Sequence, residues 1–413
     1  MKKTFIQEKI KHASLLQEEP SWLLDLRLQA LSELLKFDSF QKEESDFFDE
    51  GSNASVLKEV NPSPRIMQLG TRNLYEQLPI KLMDQGVIFT NFQEAVKKHE
   101  ALIKEYWQAK SELLADNQKL AELIAFANSG IFLYVPKNVE ITLPMEYFWV
   151  KPENSSIPVY SSILILVEEG ASVNYVERIQ SVENSGDQAI SLNLLVEVIA
   201  KRGAKVNFWS NETLDQKVKA HIWHVGKLHR DSQVHWQINA LNSGDVILEV
   251  DVDLVGEGAY STVNMAAISS GQQEQKIQTR IKNSANYSKG KIVQHGVALD
   301  ASKLSFTGIG EIQIGAKEAI SDQESRILML SNEACGRIDP LLLIDENEVS
   351  AGHAASIGYV DEEAIYYLMS RGIDKEKAMN LLVRGFLGSV MPAFSGDLLK
   401  SECIEAIKRK LNV

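Results

Sequence analysis

Four histidines, His221, His224, His229 and His235, fall within one short stretch of this 413-residue chain. Imidazole ligates zinc and iron and works as an acid or base near neutral pH. If residues 220–225 are extended, positions three apart face opposite sides, so His221 and His224 cannot share one metal. They read as exposed or core-satisfied histidines. Glu249, Asp251 and Asp253 alternate with aliphatic residues and so share one strand face. Such a row could bind Ca²⁺, or supply paired carboxylates for sugar chemistry, as in some β-solenoid enzymes. Three like charges in a row also need solvent or partners, and a solvated face is the commoner meaning. His353 stands apart, in the small-residue run Ser350-Ala351-Gly352-His353-Ala354-Ala355-Ser356-Ile357-Gly358. That run is expected to join the last strand to the C-terminal helices. Small neighbours leave an imidazole unshielded and let another chain approach closely. Cys335 is expected in a turn as an exposed thiol, and Cys403 to be packed on an amphipathic helix.

Missing motifs narrow the chemistry. The chain has no GxxxxGK[ST] phosphate loop and no GxSxG, HExxH or GxGxxG sequence. Ile268-Ser269-Ser270-Gly271-Gln272 looks like the signature of ABC-type ATPases, but that signature works at a helix N-terminus and this one lies between β segments. A net charge of −13 argues against nucleic acid or an anionic membrane as partner. No apolar run is long enough to span a bilayer, and MKKTFIQEKIKH has no apolar core behind its basic residues. Two cysteines make neither a disulfide framework nor a CxxC site. The expectation is a soluble cytoplasmic protein.

The elements that must position these residues are mainly β. No proline occurs between Val159 and Asp339, as a continuous hydrogen-bonded ladder requires. In residues 246–254 every even position is aliphatic and most odd ones are acidic, and similar β-rich stretches occur at 162–167, 192–199, 205–209, 234–238 and 338–344. Turn signals recur at Glu169-Gly170-Ala171, Arg202-Gly203-Ala204, Asp231-Ser232, Glu257-Gly258-Ala259, Asn283-Ser284-Ala285, Asp300-Ala301 and Gly315-Ala316, at intervals of roughly 26 to 33 residues and then about 15. Stacked coils of a β solenoid fit this spacing, with a β-sandwich of long hairpins as the alternative. The ends read as helical. Residues 21–37 carry Leu24, Leu28, Leu31 and Leu35 at helical spacing behind Pro20-Ser21, and residues 92–127 continue the pattern. After the β region, Asp361-Glu362-Glu363 opens a helix that Gly372 stops, Asp374 caps a second, and a third carries Leu398, Leu399, Ile404, Ile407 and Leu411. The domains expected are an N-terminal helical domain at 1–127 with a linker at 41–65, a β core at 128–350, and a C-terminal helical domain at 351–413.

The run 343–386, LIDENEVSAGHAASIGYVDEEAIYYLMSRGIDKEKAMNLLVRGF, resembles the C-terminal signature of the SufB/SufD family of iron–sulfur cluster assembly proteins. Further blocks are similar in order along nearly the whole chain: Glu19-Pro20-Ser21-Trp22 with Arg27 and Ala30, Gly86-Val87-Ile88-Phe89-Thr90, residues 128–136, Gln294-His295-Gly296-Val297, Gly308-Ile309-Gly310 and Gln323-Glu324-Ser325-Arg326. The match is closer to the SufD branch, on GHAASIG with YYLMSRG. Cys335-Gly336 falls near the block of the SufB active cysteine, but Arg337-Ile338-Asp339-Pro340 lacks the histidine-containing continuation, so Cys335 reads as incidental.

The resemblance implies a right-handed parallel β-helix flanked by N- and C-terminal helices, acting as a non-catalytic scaffold. It implies pairing with SufB through the β-helix cores and docking of SufC, an ABC-type ATPase, on the C-terminal helices. The matching dock positions are Tyr366, Tyr367, Leu368, Arg371, Gly372 and Phe386. His353 matches a histidine at the SufB interface, where it would be a ligand of the transient Fe–S cluster. Many relatives carry a cysteine where this chain has Ala351, so the sulfur ligands fall to SufB. A reduced flavin would belong to the complex, with no cofactor on this chain alone, and a homodimer would be the form without SufB. Two other functions stay open on the residues: a β-solenoid enzyme using Glu249, Asp251 and Asp253 on an acidic or sugar substrate, and a purely structural homo-oligomer.

Overall fold

The computed structural model describes residues 2–37, 63–153, 155–181, 188–391 and 397–411. It opens with α1 (Lys2–Leu16), α2 (Ser21–Leu34), β1 (Arg65–Leu69), β2 (Arg72–Gln77), α3 (Ile80–Asp84), β3 (Ile88–Asn91), α4 (Phe92–Lys98), α5 (Glu100–Ala109) and α6 (Gln118–Phe126). Strands then follow one another: β4 (Ser129–Val135), β5 (Glu140–Val150), β6 (Val159–Val167), β7 (Ser172–Gln180), β8 (Ile190–Ala200), β9 (Lys205–Thr213), β10 (Val218–Leu228), β11 (Gln233–Ala240), β12 (Val246–Leu254), β13 (Tyr260–Ser269), β14 (Glu274–Asn283), β15 (Lys289–Ala298), β16 (Lys303–Ile312), β17 (Ile320–Met329), β18 (Cys335–Ile344) and β19 (Ser350–Tyr359). The chain closes with α7 (Glu362–Ser370), α8 (Lys375–Gly388) and α9 (Asp397–Lys410).

From β4 onward the strands alternate between two sheets. Even-numbered strands with β3 build a nine-stranded sheet and odd-numbered ones with β1 and β2 a ten-stranded sheet, and from β6 each strand pairs in parallel with the strand two earlier. One even and one odd strand make a coil, and the solenoid has about seven turns. A hairpin sandwich would pair consecutive strands antiparallel, so that alternative is excluded. The period-two pattern is the cause. In β12, Val246, Leu248, Val250, Val252 and Leu254 are buried inside, while Ile247 and the three carboxylates face out. Repeated coil after coil, these inward residues form one continuous core, each large aliphatic side chain contributing about 1.5–3 kcal/mol by leaving water.

One corner of every coil before the last turns through a left-handed residue: Asn138, Gly170, Gly203, Asp231, Gly258, Tyr287 and Glu318 all have φ between 57° and 69°. Each donates its N–H to a carbonyl of the next coil, from Glu169, Arg202, Arg230, Glu257, Asn286, Lys317 and Glu348 in turn. The corner thus satisfies its own backbone while stacking, and glycine, asparagine and aspartate suit the geometry best. The shorter sequence interval near 15 has a simple origin. Asp300 (φ 51°) lies at the opposite corner, half a coil away.

Helices cover both outer faces. Around α2 and α6, a cluster containing Trp22, Leu26, Leu31, Trp107, Ile124 and Phe126 packs on Phe132, Tyr160, Leu164 and Leu195 of the nine-stranded sheet. Beneath α8 and α9, Val383, Leu387, Ala406 and Ile407 pack on Ala266, Ile268 and Val297 of the ten-stranded sheet. With the solenoid core on one side and the N-terminal helices on the other, β6 is buried on both faces.

Several expectations need correction. The region before residue 128 is not only helical: α1 precedes the expected first helix, and β1, β2 and β3 extend the two sheets. The helical pattern of residues 92–127 is broken into α4, α5, a 3₁₀ turn at Lys110–Leu113 and α6. In α2 the buried face is Leu23, Leu26, Arg27, Ala30, Leu31 and Leu34, while Leu24, Leu28 and Leu35 are only partly buried; a leucine-rich helix presents two candidate stripes, and tertiary contact selects one. The expected linker at 41–65 lies outside the described residues up to 62, and Arg65 opens β1. The run 350–359, expected to join strand to helix, is itself a strand, because its backbone completes a ladder with β17 that its small side chains do not announce. Cys335 is the first residue of β18 rather than part of a turn.

Candidate functional site

The last coil is unlike every other. β19 ends the ten-stranded sheet and β18 ends the nine-stranded one. All of β19 except Gly352 is exposed, on both faces. Ser350 and Val360 give their N–H to Ala319 and Met329, so the alternation of a parallel ladder turns the N–H groups of Ala351, His353, Ala355, Ile357 and Tyr359 toward the free edge. Leu341 and Leu343 on β18 and Ile357 and Tyr359 on β19 stay 42–57% exposed. A long free edge with apolar side chains is what soluble proteins avoid unless another chain covers it.

His353 sits in this edge. It pairs in register with Gln323 of β17 and therefore shares its face, which is the inner face of the solenoid. Ala351 and Ala355 flank it on that face, so nothing bulky shields the imidazole. Cys335 is exposed on the same coil.

The helices beside this mouth divide the six expected dock residues. Asp361 caps α7 by accepting the Glu363 N–H at 2.9 Å, and Gly372 ends its turn at φ 85°. Only Ile365 of α7 is buried. Tyr366 and Tyr367 are 74% and 57% exposed, Arg371 lies over the Tyr367 ring at 5.2 Å, and Leu368 is half-buried. Arg371 and Gly372 are exposed. Phe386, on α8, is half-buried like Leu368. It stacks on the buried His295 with ring centroids 4.7 Å apart. The His295 ring also lies 3.1 Å from the Phe386 carbonyl and 3.3 Å from Glu324 of β17, which fastens α8 to the last rungs.

The other candidates are dispersed. His221 meets Glu249 at 2.7 Å on the outer face, His224 meets Glu177 at 3.1 Å inside, and His235 meets Thr262 at 2.9 Å. His229 lines an open cleft of about 680 Å³ between α5 and four corners, where Lys201, Arg202 and Arg230 balance Glu105, Glu168 and Glu169. The acidic row is neutralised rung by rung. The His221 hydrogen bond holds the Glu249 carboxyl below its usual range, Asp251 faces Arg280 at 3.6 Å and Asp253 faces Lys282 at 3.8 Å. Burial pushes the Asp251 carboxyl up. Paired in this way, the row offers no free acid–base couple, and nothing supports the enzyme alternative. Cys403 is buried against Asn211 and Asn239, and burial pushes its thiol up to about 12, so it is inert. Among the described residues no three His, Cys, Asp or Glu side chains gather as a metal site, and no helix is long and apolar enough to cross a membrane.

Sequence reasoning missed two sets of inward polar residues. One is Glu177 and Glu212, fully buried in the middle coils with His224. The other is Gln323 below His353. The signal available was parity: each falls on the inward positions of its strand.

Residues 150–386 match the family described as SUF system FeS cluster assembly, SufBD core domain, and residues 70–146 match the SufBD protein N-terminal region. The chain is 36% identical to the iron–sulfur cluster assembly protein SufD of Bacillus subtilis, over 98% of both proteins. It is 30% identical to an iron–sulfur cluster assembly SufBD family protein of Staphylococcus epidermidis, over 92% of this chain and 87% of that one. A Staphylococcus aureus member is 28% identical over the same shares.

Proposed function

This chain belongs to the SufBD family of iron–sulfur cluster assembly proteins, and from that premise we propose that it is a non-catalytic, SufD-type scaffold subunit of a cytoplasmic SufB–SufC–SufD complex. The observation that carries the reading is the uncovered last coil, with two free strand edges and an unshielded histidine. A second SufBD-family β-helix, SufB, continues the sheets at β18 and β19, and its main-chain groups answer the free N–H groups of β19. The nascent cluster is cargo at that junction. His353 supplies one nitrogen to iron, and SufB supplies the sulfur ligands, because this chain has Ala351 rather than a cysteine two positions before it. Tyr366, Tyr367 and Arg371 offer the aromatic and arginine anchors typical of protein interfaces and receive the SufC ATPase. Nucleotide chemistry belongs to that partner, in keeping with the missing phosphate loop.

The test is anaerobic reconstitution of Fe–S absorbance in the co-expressed three-protein complex, with assembly followed by size exclusion on the same samples. His353→Ala should leave the complex intact and lower cluster absorbance severalfold. Unchanged absorbance in an intact complex refutes the ligand role and leaves this subunit as architecture alone.

A further inference from the structure

We propose that Gln323 is the positioning residue of His353: its side-chain carbonyl oxygen accepts one imidazole N–H and thereby aims the other ring nitrogen, lone pair outward, into the partner-facing mouth. The inference deepens the reading of His353 as an iron ligand and rests on it.

Three observations carry it. First, Gln323 and His353 are register partners on adjacent rungs and share the inner face. Neighbouring parallel strands lie about 4.8 Å apart, within reach of a glutamine amide and an imidazole stacked one above the other. Second, the amide is already fixed. Gln323 Nε2 donates to the Leu341 carbonyl at 2.7 Å, so the side chain crosses the interior from one sheet to the other. Two inward glycines make the room: a Cβ on Gly308 would lie 2.5 Å from Gln323 Oε1, and one on Gly310 would lie 3.3 Å from Nε2 and 2.4 Å from Ser321 Oγ. Third, the oxygen left over is unpartnered. Gln323 is 5% exposed and its Oε1 accepts no hydrogen bond, none from the His353 ring included, so the exposed ring turns to make the proposed one. A buried acceptor without a donor costs about 1–3 kcal/mol. Its neighbours do not relieve it, because Ser325 Oγ already donates to Gln294 Oε1, and Gln294 Nε2 to Thr279.

The chemistry fits the need. A neutral imidazole has one N–H and one lone pair, and a metal-binding histidine almost always gives that N–H to a carbonyl or carboxylate, which fixes tautomer and ring orientation. β19 supplies no polar side chain on that face, since the inward neighbours of His353 are Ala351 and Ala355. The rung below is thus where an acceptor can come from, and a free one waits there.

The experiment uses the full-length chain with ring-¹⁵N histidine, free of iron, the His353 signals being assigned from their loss in His353→Ala. Gln323→Leu removes the acceptor and Gln323→Glu keeps one; melting curves confirm that both fold. Wild type and Gln323→Glu should show His353 held in one tautomer, and Gln323→Leu should move its ring ¹⁵N shifts toward the average of a free mixture. In the co-expressed complex, Gln323→Leu should lower iron loading about tenfold or more, with Gln323→Glu recovering it. Identical ring shifts in wild type and Gln323→Leu overturn the hydrogen bond, whatever His353 does with iron. Shifted signals with undiminished loading overturn the positioning role. Loss of loading in Gln323→Leu but not in His353→Ala would refute the ligand reading itself and this proposal with it.

Discussion

Gln68 and Gln323 occupy comparable places, each on the ten-stranded sheet near one mouth of the solenoid, and their surroundings differ. Gln68 is 1% exposed and both ends of its amide are used: Nε2 donates to Gly130 O at 3.1 Å, and Oε1 accepts from Ser129 at 2.9 Å and Tyr147 at 2.8 Å. Trp149 adds a bond to Gly70 O. Above this plug the sheets end in antiparallel strands, β2 against β1 and the four-residue β3 against β4, and α2 and α6 close over the outside. At the other mouth Gln323 keeps a free oxygen, the last strands are ten residues long, and their outer edges face solvent. Parallel coils can be extended indefinitely, so an end must be stopped by design or given to a partner. Here one mouth is stopped and the other is left to be continued.

The largest test breaks the closed mouth. Arg27 is 1% exposed in α2. It forms a two-pronged pair with Glu19 at 2.6 and 3.0 Å and donates to the carbonyls of Ala125 and Ala127, where α6 hands over to β4. Arg27→Met leaves Glu19 buried without a counter-charge and should cost about 3–5 kcal/mol in denaturant unfolding. The double variant with Glu19→Gln should regain part of the loss. A cost under about 1 kcal/mol would mean that the ion pair is not what seals this end. At the open mouth the expected effect is smaller and on a different property. Ala355→Pro deletes an N–H that points away from β17, so melting of the isolated chain should hold, while affinity for the proposed SufB partner should fall about tenfold through one lost backbone bond of about 0.5–1.5 kcal/mol and the bulk of the ring. Ser356→Pro strikes an N–H turned toward β17 and should lower the melting temperature instead. Equal affinity for wild type and Ala355→Pro in titration calorimetry would show that the partner does not add to this edge.

How far the sequence disclosed the two mouths follows from what each is made of. The coils were legible because alternation and left-handed corners are local: Glu257-Gly258-Ala259 announces its turn wherever it is placed. The closed mouth was not, since β1, β2 and β3 are four to six residues long; β1 and β3 become strands by pairing with β5 and β4, far along the chain, and β2 follows through its hairpin with β1. Arg27 and Gln68 are polar residues whose burial depends on partners about 60 to 100 positions away, which no periodicity records. The open mouth was half legible. His353 stood out by its small neighbours, but those same alanines and glycines carry no strand signal, so β19 read as a connection. Gln323 was visible only as part of a family block, because its meaning lies in the register that sets it under His353.

Between the mouths lies a third solution to an unpartnered polar atom, and it gives the mildest prediction. Glu212 on β9 is fully buried. Asn242 Nδ2 donates to its Oε2 at 2.9 Å, and Oε1 has no partner. Burial, reinforced by the nearby charge of Glu177, pushes its carboxyl up to about 8 against the pull of Asn242. An unfolded glutamate titrates near 4.3, so the folded state holds this proton the more tightly. The stability this gives is complete below the unfolded value and is lost as pH rises through about 8. Glu212→Gln keeps the shape and cannot ionise. Its thermal stability should fall less than that of wild type between pH 5 and pH 9 and exceed it at the upper end. Parallel pH profiles would show that the carboxyl is solvated or already paired. The contrast with the mouths gives the reason for expecting otherwise: a sealed interior can answer a bare oxygen only with a proton, the closed mouth answers it with Ser129 and Tyr147, and the open mouth leaves it bare beneath the exposed His353.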